Sequence, residues 1–177
     1  MRLLDKLVGF RKPPLEQIDE MVKGWKEHER LDYGFKISYP FDWVVKYTDQ
    51  GVEIYPRDNP HAFDSLLGRD VASPGINIIE IIGYDPNQNM VKKFVQTRPR
   101  GYERYKLIKR YSHKLRNAKY MAVYEFQYGT QDSLFSVLSL VAQRNSHMFV
   151  VTASGALQDF NSYRKLIEGI VFSFQLI

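Results

Sequence analysis

Residues 103 to 143 constrain the fold most tightly, because they hold three long strand-like runs with almost no chain between them. The runs, at about 103–115, 117–128 and 133–143, are separated only by the polar turns Arg116-Asn117 and Gly129-Thr130-Gln131-Asp132. Strands joined this closely pair side by side in opposite directions. The reading is an antiparallel meander, and a fourth strand, Met148 to Ser154, returns after Arg144-Asn145-Ser146-His147. Its central strands are apolar on both sides, with Phe135, Val137 and Val141 on one and Leu134, Leu138 and Leu140 on the other. A sheet of this kind is expected to be covered on both faces.

Cover comes from helical patterns in separate blocks. Pro86 to Gln96 carries Met90, Val91, Phe94 and Val95 on one side. The C-terminal segment carries Phe160, Tyr163, Leu166, Ile167, Ile170 and Val171 at the 3.6-residue period, with Asp159 placed to cap it. Near the start, Leu3, Leu4, Leu7 and Val8 form a short stripe. Ile18, Met21, Val22 and Trp25 form a second, predicting a helix that ends near His28. Earlier strands are expected at 34–39, 44–47, 51–55 and 75–83, and the polar, proline-containing stretch 56–74 reads as a surface loop. Strands in consecutive runs with helices apart from them argue for an α+β fold, an antiparallel β-sheet sandwiched between helices on both faces, and against a parallel sheet. The expected organisation is a helical extension at 1–30 packed on an α+β domain at 31–177.

The 177 residues are 44% apolar and 14% aromatic, enough for one continuous core. No cysteine is present, which excludes disulfides, thiolate zinc sites and cysteine nucleophiles together. Asp5 and Lys6 interrupt the first apolar stretch, so it does not read as a signal peptide. The longest apolar runs fall short of the roughly 20 residues that a membrane span needs. The expectation is a soluble, cytoplasmic protein.

Three pieces resemble the PsbP-like family, named for a lumenal extrinsic protein of photosystem II and sharing its fold with a Ran-binding nuclear transport factor. They are GFKISYPFDW (34–43), KYMAVYEFQYGTQDSLFSVLSLVAQRNSHMFVVTASG (119–155) and YRKLIEGIVFSF (163–174). The resemblance implies an antiparallel sheet between helices and an accessory or assembly role in a larger complex. Within the first piece, Pro40 ends a strand because it cannot donate to a ladder, Asp42 is expected to cap the turn, and Trp43 is expected to bury its ring over the sheet.

No catalytic signature appears: there is no GxSxG elbow, no Gly-rich phosphate loop and no HExxH. No catalytic residue, cofactor or metal ligand is assigned. Among His28, His61, His113 and His147, only His61 has acidic neighbours, Asp58 and Asp64. This leaves an enzyme or metal-binding reading of the 56–74 loop as an alternative beside that of a solvated polar loop.

Charge is more informative. The formal net charge is +5, yet the segment from Lys92 to Lys119 alone sets eleven Lys or Arg against one acid, Glu103. Strand periodicity places Arg104, Lys106, Arg110, Lys114 and Arg116 along one side, with Tyr105, Leu107, Tyr111 and Leu115 on the other. Three readings follow. The stripe protects an exposed sheet edge, meets an acidic protein partner, or meets nucleic acid with Tyr102, Tyr105 or Tyr120 stacking on bases. The leading functional expectation is a non-catalytic domain that binds an acidic protein through Arg104, Lys106, Arg110, Lys114 and Arg116, with nucleic acid as the alternative partner.

Overall fold

The computed structural model describes residues 18, 20–48, 51–58 and 75–177. Their strands are β1 (Lys26–Arg30), β2 (Phe35–Tyr39), β3 (Trp43–Thr48), β4 (Gly51–Pro56), β5 (Gly75–Ile81), β6 (Lys106–Tyr111), β7 (Tyr120–Gly129), β8 (Leu134–Arg144), β9 (His147–Ala156) and β10 (Gln175–Leu176). Helix α1 is Met90–Thr97, continued by a 3-10 turn at Arg98–Gly101. Helices α2 (Leu157–Ser162) and α3 (Arg164–Ser173) follow β9.

The main sheet runs β3-β4-β5-β9-β8-β7-β6, antiparallel at every junction. It is thus two local meanders, β3-β4-β5 and β6-β7-β8-β9, joined where β5 pairs with β9 over seven residue pairs from Gly75↔Ser154 to Ile81↔Met148. A small second sheet has the order β1-β2-β10. The fold is α+β with antiparallel sheets, as the turn spacing requires.

Alternation along β8 divides the core into two layers. Leu138, Leu140 and Ala142 face a cluster with Phe35, Ile37, Trp43, Phe160, Ile167 and Phe174, so α2, α3 and the small sheet cover that side. Val137 and Val141 face the other way, against Val91, Tyr124 and Phe126, under α1. Leu134, at the strand's start, is partly exposed instead. Pro40 follows the last residue of β2, the turn is held by the Trp43 N–H donating to the Pro40 carbonyl at 3.1 Å, and Trp43 is 1% exposed. The 34–43 segment is part of the scaffold.

Helix α1 starts at Met90 rather than Pro86, for a local reason. Asn89 caps it, its Oδ1 accepting from Lys92 N–H at 2.9 Å, while the buried Gln143 of β8 accepts from Met90 N–H and donates to the Gln88 carbonyl, each at 3.0 Å. The sheet therefore fixes where the helix begins.

Three expectations are corrected. The helix expected to end near His28 ends earlier: Met21 is helical, Gly24 turns the chain at φ +81°, and 26–30 forms β1 against β2. The predicted single C-terminal helix is two, parted at Tyr163, with Asp159 inside α2 instead of capping it. Near the break the Ser162 hydroxyl bonds back to the Gln158 carbonyl at 3.1 Å, a contact that bends helices. The first meander strand spans only Lys106–Tyr111. The stripe at Leu3–Val8, the hairpin residues Asp49 and Gln50, and His61 with Asp64 lie outside the described residues.

Candidate functional site

β6 ends the main sheet, so one of its backbone edges faces away from β7. Its pairing slips between Leu107 and Lys109: Lys106 sits opposite Gln127, whereas Arg110 sits opposite Tyr124. Residues directly opposite share a face, and Gln127 and Tyr124 point to different faces, so the bulge places Lys106 and Arg110 on opposite sides of the sheet. The single-sided stripe expected from strict alternation is corrected accordingly. Arg104 precedes the strand in a left-handed turn (φ +47°), Lys114 lies in the irregular chain after it, and Arg116 lies in the turn before β7. All five cations are exposed.

Aromatic packing accounts for the slip. Tyr105 stacks on Phe126 at 4.9 Å in the α1 layer, while Tyr111 reaches the opposite layer and packs on Phe172 at 5.4 Å. Strict alternation would put both rings on one face. With one extra residue each face gains an anchor.

The α1 side gathers a constellation that the strand pattern alone does not show. Arg98 opens the 3-10 turn with its guanidinium carbon 5.3 Å from the Phe94 ring centre and 5.1 Å from that of Tyr102. Its Nε is buried with no hydrogen-bond partner. Burial pushes the Tyr105 hydroxyl above its ordinary pKa, and the positive charges of Arg110 and Arg98 pull against that shift. Tyr102 itself packs 5.1 Å from Phe126 and 4.5 Å from Tyr128. The only sequence signal for Arg98 was its place in an acid-poor segment.

Lys114 and Arg116 belong elsewhere. They line a cleft of 570 Å³ between the β6–β7 connection, the end of α3, β10 and the residues Ile18 and Val22. His113 lines it too, its ring 5.1 Å from Phe172 and its Nε2 buried without a partner. Burial holds this imidazole below its ordinary pKa.

Glu125, 2% exposed on β7, is neutralised by Arg164 at the start of α3 through two hydrogen bonds of 2.8 Å, and accepts from the Tyr111 hydroxyl at 2.9 Å. Burial raises its pKa, but hydrogen bonding and charge from Arg164, with Tyr111 and Ser136, outweigh that and leave it below the usual carboxylate range. Tyr111 is pushed up by burial and by Glu125 and Glu168. This network ties the edge strand to α3. His147 meets Glu80 at 2.6 Å, and among the described residues no group of three or more His, Asp or Glu is placed to hold a metal ion. No helix among them is long and apolar enough to cross a membrane.

No family model matches this sequence, and no curated protein matches it. Its structure is similar to that of cyanobacterial PsbP (CyanoP) from Synechocystis, with TM-score 0.52 and 14% identity over 86% of this chain and 92% of that one. The fold is PsbP-like. The PsbP-like likeness extends to LpqN of Mycobacterium tuberculosis, described as involved in cell envelope biogenesis (TM-score 0.53, 12% identity, 86% and 85% covered). It extends also to a Bacteroides thetaiotaomicron protein of which the match spans 48% (TM-score 0.52, 10% identity, 86% of this chain).

Proposed function

We propose that this chain is a non-catalytic accessory domain that holds an acidic segment of a partner protein against the β6 edge. The observation that carries the reading is Arg98, a half-buried arginine between two aromatic rings with its Nε unpaired, on the side of the sheet to which Arg110 of the edge strand β6 also points. An arginine positioned by ring faces keeps its planar fork of donors for a carboxylate and loses little freedom on binding. Arg104 in the turn before the strand, and Lys106 and Lys109 on the other face of the strand, are exposed and add to the positive field that steers an acidic chain toward this edge. Mechanistically the domain is a rigid sheet that presents charge, with no covalent step.

Protein is favoured over nucleic acid because Tyr102 and Tyr105 already pack on Phe126, which leaves them poor platforms for stacking bases. The reading carries a cytoplasmic place of action, which fractionation of the source cell checks.

Affinity capture from the source cell tests it, with wild type compared to the double variant Arg98→Glu/Arg110→Glu and to Lys114→Glu/Arg116→Glu. One partner is expected to be lost with the first pair and kept with the second. Retention by both variants, or capture of nucleic acid near physiological salt in its place, would overturn the reading.

A further inference from the structure

We infer that the cleft beside His113 is a binding site for an amphipathic monocarboxylate, a carboxyl head on a medium-length apolar tail. Its size is the first argument: 570 Å³ lies within the roughly 300–1,000 Å³ of small-molecule sites. The second is the chemistry of its walls. Ile18, Val22, Leu115, Phe172, Phe174 and Leu176 supply an apolar trough, the surface a hydrocarbon tail seeks.

Lys114 and Arg116 border the trough, and among the described residues neither has an ion-pair partner. The one acidic side chain on the lining, Glu27, is already answered by Lys36 at 3.0 Å, and the Ile177 oxygen on the lining accepts from Arg144. Two cations thus stand without an ion-pair partner at a cleft whose walls are part apolar and part polar. That arrangement favours a single negative head and disfavours a positive one.

The His113 ring packs on Phe172 and its Nε2 is buried with no hydrogen-bond partner, a state that costs free energy unless something supplies the missing bond. Burial keeps the ring neutral near pH 7, so it can meet a carboxyl group as a hydrogen-bonding group without adding a third charge. The nearby polar group Asn117 is committed, its amide donating to the Leu176 carbonyl at 3.3 Å and holding β10 against the connection. The site shares no residue with the β6-edge reading and goes beyond it: either can fail while the other stands.

The test uses the full chain and sodium decanoate, titrated by calorimetry below its micelle concentration, with decanol and decyltrimethylammonium as neutral and cationic counterparts. Decanoate is expected to bind and the cation not to. Lys114→Gln/Arg116→Gln, whose side chains are exposed, is expected to keep the far-ultraviolet circular dichroism of the wild type and to bind about tenfold or more weakly, the factor that 1.4 kcal/mol represents. Nitrogen-15 NMR of the imidazoles reads the location: decanoate moves the His113 resonance and leaves His147 in place. Equal binding of decanol or of the cation, shifts confined to residues outside the cleft, or no decanoate binding at all would each overturn the inference.

Discussion

Replacing Arg164 by methionine strips Glu125 of its counter-ion while keeping much of the apolar stem, and the cost follows from the geometry. Glu125 is 2% exposed and takes two charge-assisted bonds from Arg164. Removing one partner of a buried pair costs about 3–5 kcal/mol, because the remaining charge has neither water nor a counter-ion. Two features reduce that figure here: the Arg164 side chain is 35% exposed, and Tyr111 still donates to the carboxylate. The expected loss is therefore about 2–4 kcal/mol at neutral pH. In a urea titration this moves the midpoint down by about 1–2 M for a chain of this size. The pH dependence sharpens the test. In the native protein Glu125 is held below its ordinary pKa, so its stabilisation is fully present above about pH 4.3 and is lost as pH falls through the depressed value. In Arg164→Met only burial and hydroxyl donors remain, the pKa rises, and the variant's deficit shrinks between pH 7.5 and 5 as the carboxyl takes up its proton. A loss under about 1 kcal/mol, or a gap that stays constant or widens toward pH 5, would refute the reasoning.

Two further outcomes follow from single positions. Trp43→Ala empties a fully buried site between the two sheets and is expected to cost about 3–5 kcal/mol, read as a lowered melting temperature with loss of near-ultraviolet dichroism. Gly129→Ala places a methyl 2.1 Å from the Ser133 carbonyl oxygen at φ +122°, and is expected to cost about 1–3 kcal/mol with faster amide exchange at the β7–β8 turn; unchanged stability would show that the turn relaxes freely.

The meander was legible because its signals are local. Gly129 and Asn117, both at positive φ, sit at the turns where composition placed them, and alternation along β8 named both core faces. β1 was not legible. KEHER holds no strong strand former, the helical spacing of Ile18, Met21, Val22 and Trp25 runs past Gly24, and the segment becomes a strand only because β2 offers it a ladder. The bulge in β6 escaped for a related reason: one extra residue in a run of cations leaves no compositional mark, yet it reverses the face of everything after it. Arg98 and the cleft were hidden because their geometry comes from tertiary packing. Of the five cations expected to act together, Arg104, Lys106 and Arg110 lie at the edge strand, while Lys114 and Arg116 line the cleft.

The joining of two meanders through β5 and β9 has a consequence for how the chain reaches its native state. Each half of the sheet assembles from neighbours in sequence, and even the longest connection within a half, 57–74 between β4 and β5, adds little, because closure entropy grows only with the logarithm of loop length. Zipping β5 onto β9 is the one step in that sheet that brings together distant parts of the chain, so it sets the contact order of the main sheet and with it the pace of folding. Until that seam closes, two apolar edges are bare at once, and a chain delayed there is poised to pair with another copy of itself.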